Sequence, residues 1–129
     1  MIGYVSVGTN DLERASAFYD TLLAELGGGR FMTMDRFIAW STGPKAAGFS
    51  VCLPFDGGKA SIGNGVMVAL AAKDPEQVDA IYKKALELGA TDEGPPGPRG
   101  DSGFYAGYFR DLDGNKLNVF TMGSTKPAT

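Results

Sequence analysis

The chain has 129 residues, 43% of them hydrophobic, with 12 Lys or Arg against 15 Asp or Glu for a formal net charge of −3. That size and apolar content suit one folded domain, and the acidic balance argues against a nucleic-acid surface, which needs clustered Lys and Arg. One cysteine excludes an internal disulfide, and the absence of histidine excludes Ser-His-Asp or Cys-His sites and His-ligated zinc or iron within one chain.

Residues 2–8 carry the Ile, Val and Tyr of a strand that ends at Gly8-Thr9. Asn10 or Asp11 caps the helix that follows, and Asn10 with Glu13 has capping-box spacing. Ala15, Phe18, Tyr19, Leu22, Leu23 and Leu26 then recur three or four apart as one apolar stripe, and Gly27 terminates it. Gly27-Gly28-Gly29-Arg30 comes after a helix, so its amides cannot cradle a phosphate at a helix start. Strands are expected near 30–34, 36–42 and 48–54, with a turn at Ser41-Thr42-Gly43-Pro44. Cys52 lies in the apolar run Phe49-Ser50-Val51-Cys52-Leu53 with no neighbouring base, and reads as a buried, inert thiol.

The second half repeats this order. Aligning Tyr4 with Met67, without a gap, also pairs Val5 with Val68, Asp11 with Asp74, Glu13 with Glu76, Tyr19 with Tyr82 and Leu23 with Leu86. Asp74 caps a second helix, Pro75 fits its first turn and Gln77 completes the capping pattern. Val78, Ile81, Tyr82, Ala85 and Leu86 form its stripe, and Gly89 ends it. Strands follow near 91–93, 103–110 and 115–121. Gly94-Pro95-Pro96-Gly97-Pro98-Arg99-Gly100 reads as a stiff loop, with Arg99 a solvated charge or, alternatively, an anion contact. Asp111-Leu112-Asp113-Gly114-Asn115 starts like a calcium loop. The sixth and twelfth positions hold Lys116 and Met122 where Gly and Glu are needed, so a glycine-assisted hairpin turn is expected.

The expected fold is α+β. Two βαβββ modules, at about 2–55 and 66–121 with a linker over about 56–65, form a curved mixed sheet with the helices on its outer face. Residues 1–122 make one domain and 123–129 a flexible tail. The first seven residues lack the basic and apolar segments of a signal peptide, and no run approaches the ~18 apolar residues of a membrane span. A cytoplasmic protein with no membrane partner is therefore expected.

These features together resemble the vicinal oxygen chelate superfamily, which includes glyoxalase I, bleomycin-resistance proteins, fosfomycin-resistance enzymes and extradiol dioxygenases. The resemblance covers about residues 2–121. It rests on the strand before Asn10-Asp11-Leu12-Glu13-Arg14-Ala15, on Phe18-Tyr19-Asp20, on Gly63-Asn64-Gly65, and on Tyr108 through Leu117 around the Asp113-Gly114-Asn115 turn. It implies a glyoxalase-like fold with a cavity between the modules. The positions of the family's metal ligands fall at Tyr4, Met67, Asn118 and either Ser50 or Val51. A phenol, a thioether, an amide and at best a hydroxyl do not neutralise a divalent cation, so no metal and no cofactor is expected.

Strand alternation sets Tyr4 with Ser6, Met67 with Ala69, and Asn118 with Phe120 on one face each. Trp40, Phe49 and Tyr108 are further candidate walls, and Val51 stays in the ligand-binding set as the alternative to Ser50. Ordinary core packing competes as a reading for Phe120 and Met67. The resemblance implies a metal-independent protein that binds a small, partly aromatic molecule, and the net charge would suit a cationic guest. Two alternatives stay open. One is a metal-dependent lyase or dioxygenase like glyoxalase I, using water and substrate oxygens as ligands. The other is a metal-free enzyme with Tyr4 or Tyr108 as general acid. A purely structural or regulatory module is the third class. The resemblance also implies a homodimer.

Overall fold

The computed structural model describes residues 1–122; the tail expected at 123–129 lies outside the described residues. The chain divides into two units, Met1–Gly63 and Asn64–Thr129.

The first unit runs β1 (Tyr4–Gly8), α1 (Leu12–Ala24), β2 (Gly29–Thr33), β3 (Phe37–Ser41) and β4 (Gly48–Cys52). Asp11, not Asn10, caps α1: its carboxylate accepts from the Arg14 amide at 3.0 Å. Asn10 instead clamps the segment after β4, accepting from the Ala60 amide at 2.7 Å and donating to the Ala60 carbonyl at 3.3 Å. Gly27, at φ +80°, lets the chain leave the helix, and the Gly28 amide returns to the Leu23 carbonyl at 2.8 Å. The sheet order is β1-β4-β3-β2, with β1 parallel to β4 and the other pairs antiparallel.

Helix α1 covers one face of this sheet. Phe18, Tyr19, Leu22 and Leu23 are buried with Val7, Ile38, Trp40, Phe49 and Val51, each large side chain contributing roughly 1.5–3 kcal/mol. The Tyr19 ring lies 4.6 Å from Phe49 and 5.8 Å from Trp40. Asp20 ties the layers together by accepting from the Trp40 indole at 2.8 Å and from both Nε and Nη2 of Arg30 at 2.8 Å.

The second unit contains β5 (Val68–Ala71), α2 (Pro75–Glu87), β6 (Thr91–Pro98), β7 (Tyr105–Arg110) and β8 (Lys116–Thr121). Asp74 caps α2 through the Gln77 amide at 2.8 Å, and the Gln77 side chain accepts from the Lys73 amide at 2.9 Å. The order β5-β8-β7-β6 repeats the first sheet, again with one parallel pair, β5 with β8. Val78, Ile81 and Ala85 are buried with Leu70, Phe109, Leu117 and Val119. Tyr82 and Tyr105 donate to Asp92 and Asp79 at 2.5 and 2.7 Å.

Two expectations need correction here. The stretch expected as a stiff loop is strand from Gly94 to Pro98, because β6 continues through Pro98 and only Arg99 and Gly100 lie beyond it. β6 is an edge strand with register shifts at Asp92/Gly94 and Gly94/Gly97, so its prolines remove few ladder bonds. Arg99 is not simply a solvated charge, because it is half-buried. It donates to the carbonyls of Pro95 at 2.7 Å and Gly97 at 2.9 Å.

The Asp111 turn is the expected glycine-assisted connection, with Gly114 at φ +92°. The buried Asp111 carboxylate accepts from the Asp113 and Asn115 amides, both at 2.9 Å. No helix among the described residues is long and apolar enough to cross a membrane.

Candidate functional site

Leu117 and Val119 point from β8 into the α2 core, so alternation turns Lys116, Asn118 and Phe120 to the other face. Asn118 sits at the centre of that face, opposite Ala69 on parallel β5 and Tyr108 on antiparallel β7. It is only 2% exposed, and its Oδ1 has no hydrogen-bond partner among the described residues. A buried acceptor left without a donor costs ~1–3 kcal/mol, so its position in the middle of a sheet calls for a ligand or an equivalent donor.

The surroundings are aromatic and positive. Phe120 lies 5.7 Å from Phe104. The Tyr108 ring has the Arg99 guanidinium at 5.4 Å and the Lys116 ammonium at 5.6 Å from its centroid. Arg99 reaches this position because Gly94 and Gly97 leave space: a Cβ on them would come within 3.4 and 3.3 Å of its guanidinium. Arg110, by contrast, is neutralised by Glu93 at 3.1 Å. Met67 precedes β5 and is exposed, and Ala69 is also exposed.

In the first unit the corresponding face carries Tyr4, Ser6 and Ser50. Ser50 holds in its sheet the central place that Asn118 holds in the other, but it is satisfied. Its hydroxyl donates to the Val5 carbonyl at 2.8 Å and lies 2.6 Å from the Ser6 hydroxyl. Tyr4 is 59% exposed and meets Phe37 edge-on at 5.8 Å. An open groove of about 780 Å³ runs between Ile2–Tyr4, Phe31 and the loop that includes Lys45. Gly48 makes room for the Phe31 ring, since a Cβ there would lie 3.1 Å from it.

Three expected wall residues lie elsewhere. Trp40, Phe49 and Val51 point into the α1 core, because their register partners place them on the helix side of the sheet. The choice between Ser50 and Val51 therefore falls to Ser50 for the face away from the helix. Cys52 is half-buried at the end of β4, not fully buried as expected. Sequence reasoning missed Lys116 and Phe104, and it did not place Arg99 against the Tyr108 ring. Lys116 was findable, since it stands two residues before Asn118 on one strand. Phe104 and Arg99 gave no such signal, because irregular backbone carries them.

The groups whose pKa the fold moves sit in the helix–sheet layers. Arg30 and Trp40 hold the Asp20 carboxyl below its ordinary value, and the same carboxylate raises Arg30. Burial and the Asp92 carboxylate push Tyr82 up to about 12, while Asp92 is lowered by that bond. Asp79 raises Tyr105.

The donor set does not fit a divalent metal. Tyr4, Ser50, Met67 and Asn118 are all neutral, and Ser50 has committed its proton to Val5. Among the described residues, no group of three or more His, Cys, Asp or Glu side chains is placed to hold a metal ion.

The family profile of the Glyoxalase/Bleomycin resistance protein/Dioxygenase superfamily matches residues 1–119. Among solved structures, the chain is similar to a glyoxalase/bleomycin resistance protein from Albidiferax ferrireducens T118, at 37% identity and TM-score 0.86, covering 98% of this chain and 99% of that one. A putative glyoxalase from Bacillus halodurans shares the fold at 22% identity and TM-score 0.74, with 94% and 95% covered. A lactoylglutathione lyase from Agrobacterium tumefaciens does so at 21% identity and TM-score 0.69, with 94% and 92% covered. No curated protein matches.

Proposed function

The chain belongs to the Glyoxalase/Bleomycin resistance protein/Dioxygenase superfamily, and from that premise we propose that it binds a small, partly aromatic molecule without a metal. The site is the face of the second sheet that α2 leaves uncovered, around Asn118, Tyr108 and Phe120. The observation that carries this reading is the partnerless Oδ1 of buried Asn118. A family position that elsewhere supplies a metal ligand here presents a neutral acceptor, which suits a ligand N–H or O–H and not a cation's charge. Tyr108 and Phe120 supply ring surface for stacking beside it.

In this reading the protein is a cytoplasmic homodimer in which residues 1–122 act as one domain. A monomer by light scattering at micromolar concentration would remove the dimer.

The test is a thermal-shift screen of aromatic metabolites and drugs against protein treated with EDTA. Saturable stabilisation, unchanged when Ni²⁺, Zn²⁺, Mn²⁺ or Fe²⁺ is added back, is the expected result. No stabilising compound across a broad library, or binding that appears only with added metal, would overturn the reading.

A further inference from the structure

Three features of the Asn118 face remain unexplained by a generic aromatic guest. The Oδ1 of Asn118 is an acceptor without a donor. The Lys116 ammonium has an aromatic neighbour, Tyr108, but no acidic one among the described residues. The Arg99 guanidinium is held against the same ring by backbone carbonyls, again with no carboxylate. In a chain of net charge −3, two cations that have no counter-ion among the described residues gather on one ring and form a local positive field. A protein that needed only an apolar wall would gain nothing from this arrangement, since each cation repels the other.

We infer that the ligand is an aromatic carboxylate with an N–H or O–H donor: the donor meets Asn118 Oδ1 and the carboxylate meets Lys116 and Arg99 beside Tyr108. This deepens the binding function proposed above and rests on it. Lys116 and Asn118 share one face of β8 two residues apart, a spacing of ~6.7 Å along a strand. Donor and anion on opposite sides of one or two fused rings span that distance. Asn118 Oδ1 is closed to water, so the donor reaches it when a covering side chain turns aside. The overall negative charge, which by itself suits a cationic guest, is outweighed by these near charges because screening limits distant ones to about a Debye length of 8 Å.

Three related compounds separate the two contacts. Indole-3-acetate has both groups, indole-3-acetamide lacks the charge, and 1-methylindole-3-acetate lacks the donor. Calorimetric titration of the full chain in EDTA is expected to show indole-3-acetate at least 10-fold tighter than either analogue. In Lys116→Gln the ratio of acid to amide affinity is expected to fall several-fold, and in Asn118→Leu the ratio of N–H to N-methyl compound is expected to approach one. Circular dichroism melts establish that both variants fold. Equal affinity for acid and amide, or for the N–H and N-methyl compounds, overturns the inference. A screen that yields only neutral or cationic ligands also overturns it, while leaving the binding function standing; a screen that yields none removes both.

Discussion

Asn118 on β8 stands directly opposite Tyr108 on β7, and Tyr108 is the ring on which Arg99 and Lys116 place their charges. One register pair thus joins an unsatisfied acceptor, an aromatic surface and a positive field. A residue kept for stability alone would have its polar atoms satisfied, as Ser50 does at the matching place in the first sheet.

Replacing Asn118 with Leu is therefore expected to separate stability from binding. The change removes a buried, unpaired acceptor, so unfolding free energy is expected to rise by about 1 kcal/mol, with an increase of a few degrees in Tm. Ligand affinity is expected to fall at least 10-fold. Chemical denaturation and titration calorimetry measure the two; a marked loss of stability would mean that Oδ1 has a partner in the folded protein.

Asp20 carries the opposite expectation. Asp20→Ala leaves the buried Trp40 indole N–H without its acceptor and is expected to destabilise by roughly 1–3 kcal/mol, with Asp20→Asn milder because its oxygen still accepts. The folded-state pKa of Asp20 lies below its ordinary value of 3.8, so its ionic contribution is present above that pH and is lost as pH falls through the folded value. The stability gap between the native protein and Asp20→Asn should close on acidification below pH 4, as followed by thermal melts.

Tyr82 predicts the alkaline limb. Its folded pKa is about 12 against an ordinary value of 10.0, so the neutral phenol is favoured by folding. That contribution is complete below pH 10 and is lost as pH rises towards 12. Tyrosinate absorbance is expected to show a phenol titrating near 12 that is absent in Tyr82→Phe, while the Tyr105 phenol raised by Asp79 remains; an unchanged late phase in Tyr82→Phe would contradict the Asp92 bond.

Gly107 is a packing requirement. A Cβ there would lie 3.1 Å from the Pro96 ring and 3.2 Å from the Tyr82 ring. Gly107→Ala is expected to cost roughly 1–3 kcal/mol through displaced edge-strand packing, read as a lower denaturation midpoint.

The fold was legible in the sequence wherever periodicity and caps agree. The two apolar stripes, Asp74 with Pro75, and the glycine stops gave both helices, and the internal repeat gave the matched sheets. Side-chain facing was legible where a strand alternates cleanly, as at Asn118. It failed at Trp40, Phe49 and Val51, because β3 and β4 are apolar at nearly every position and either parity reads equally well. The proline-rich β6 was hidden because tertiary pairing at a sheet edge overrides the local preference of Gly and Pro. Asn10 and Asp11 both suit a cap, and only the position of Ala60, fifty residues on, decides between them.

The most direct test is heteronuclear NMR of labelled protein in EDTA, following the Asn118 side-chain amide and the Tyr108 ring while indole-3-acetate is added. Saturable shifts of both signals without metal are predicted. Binding that leaves these two signals unmoved, or shifts that appear only after a divalent metal is supplied, would contradict the account.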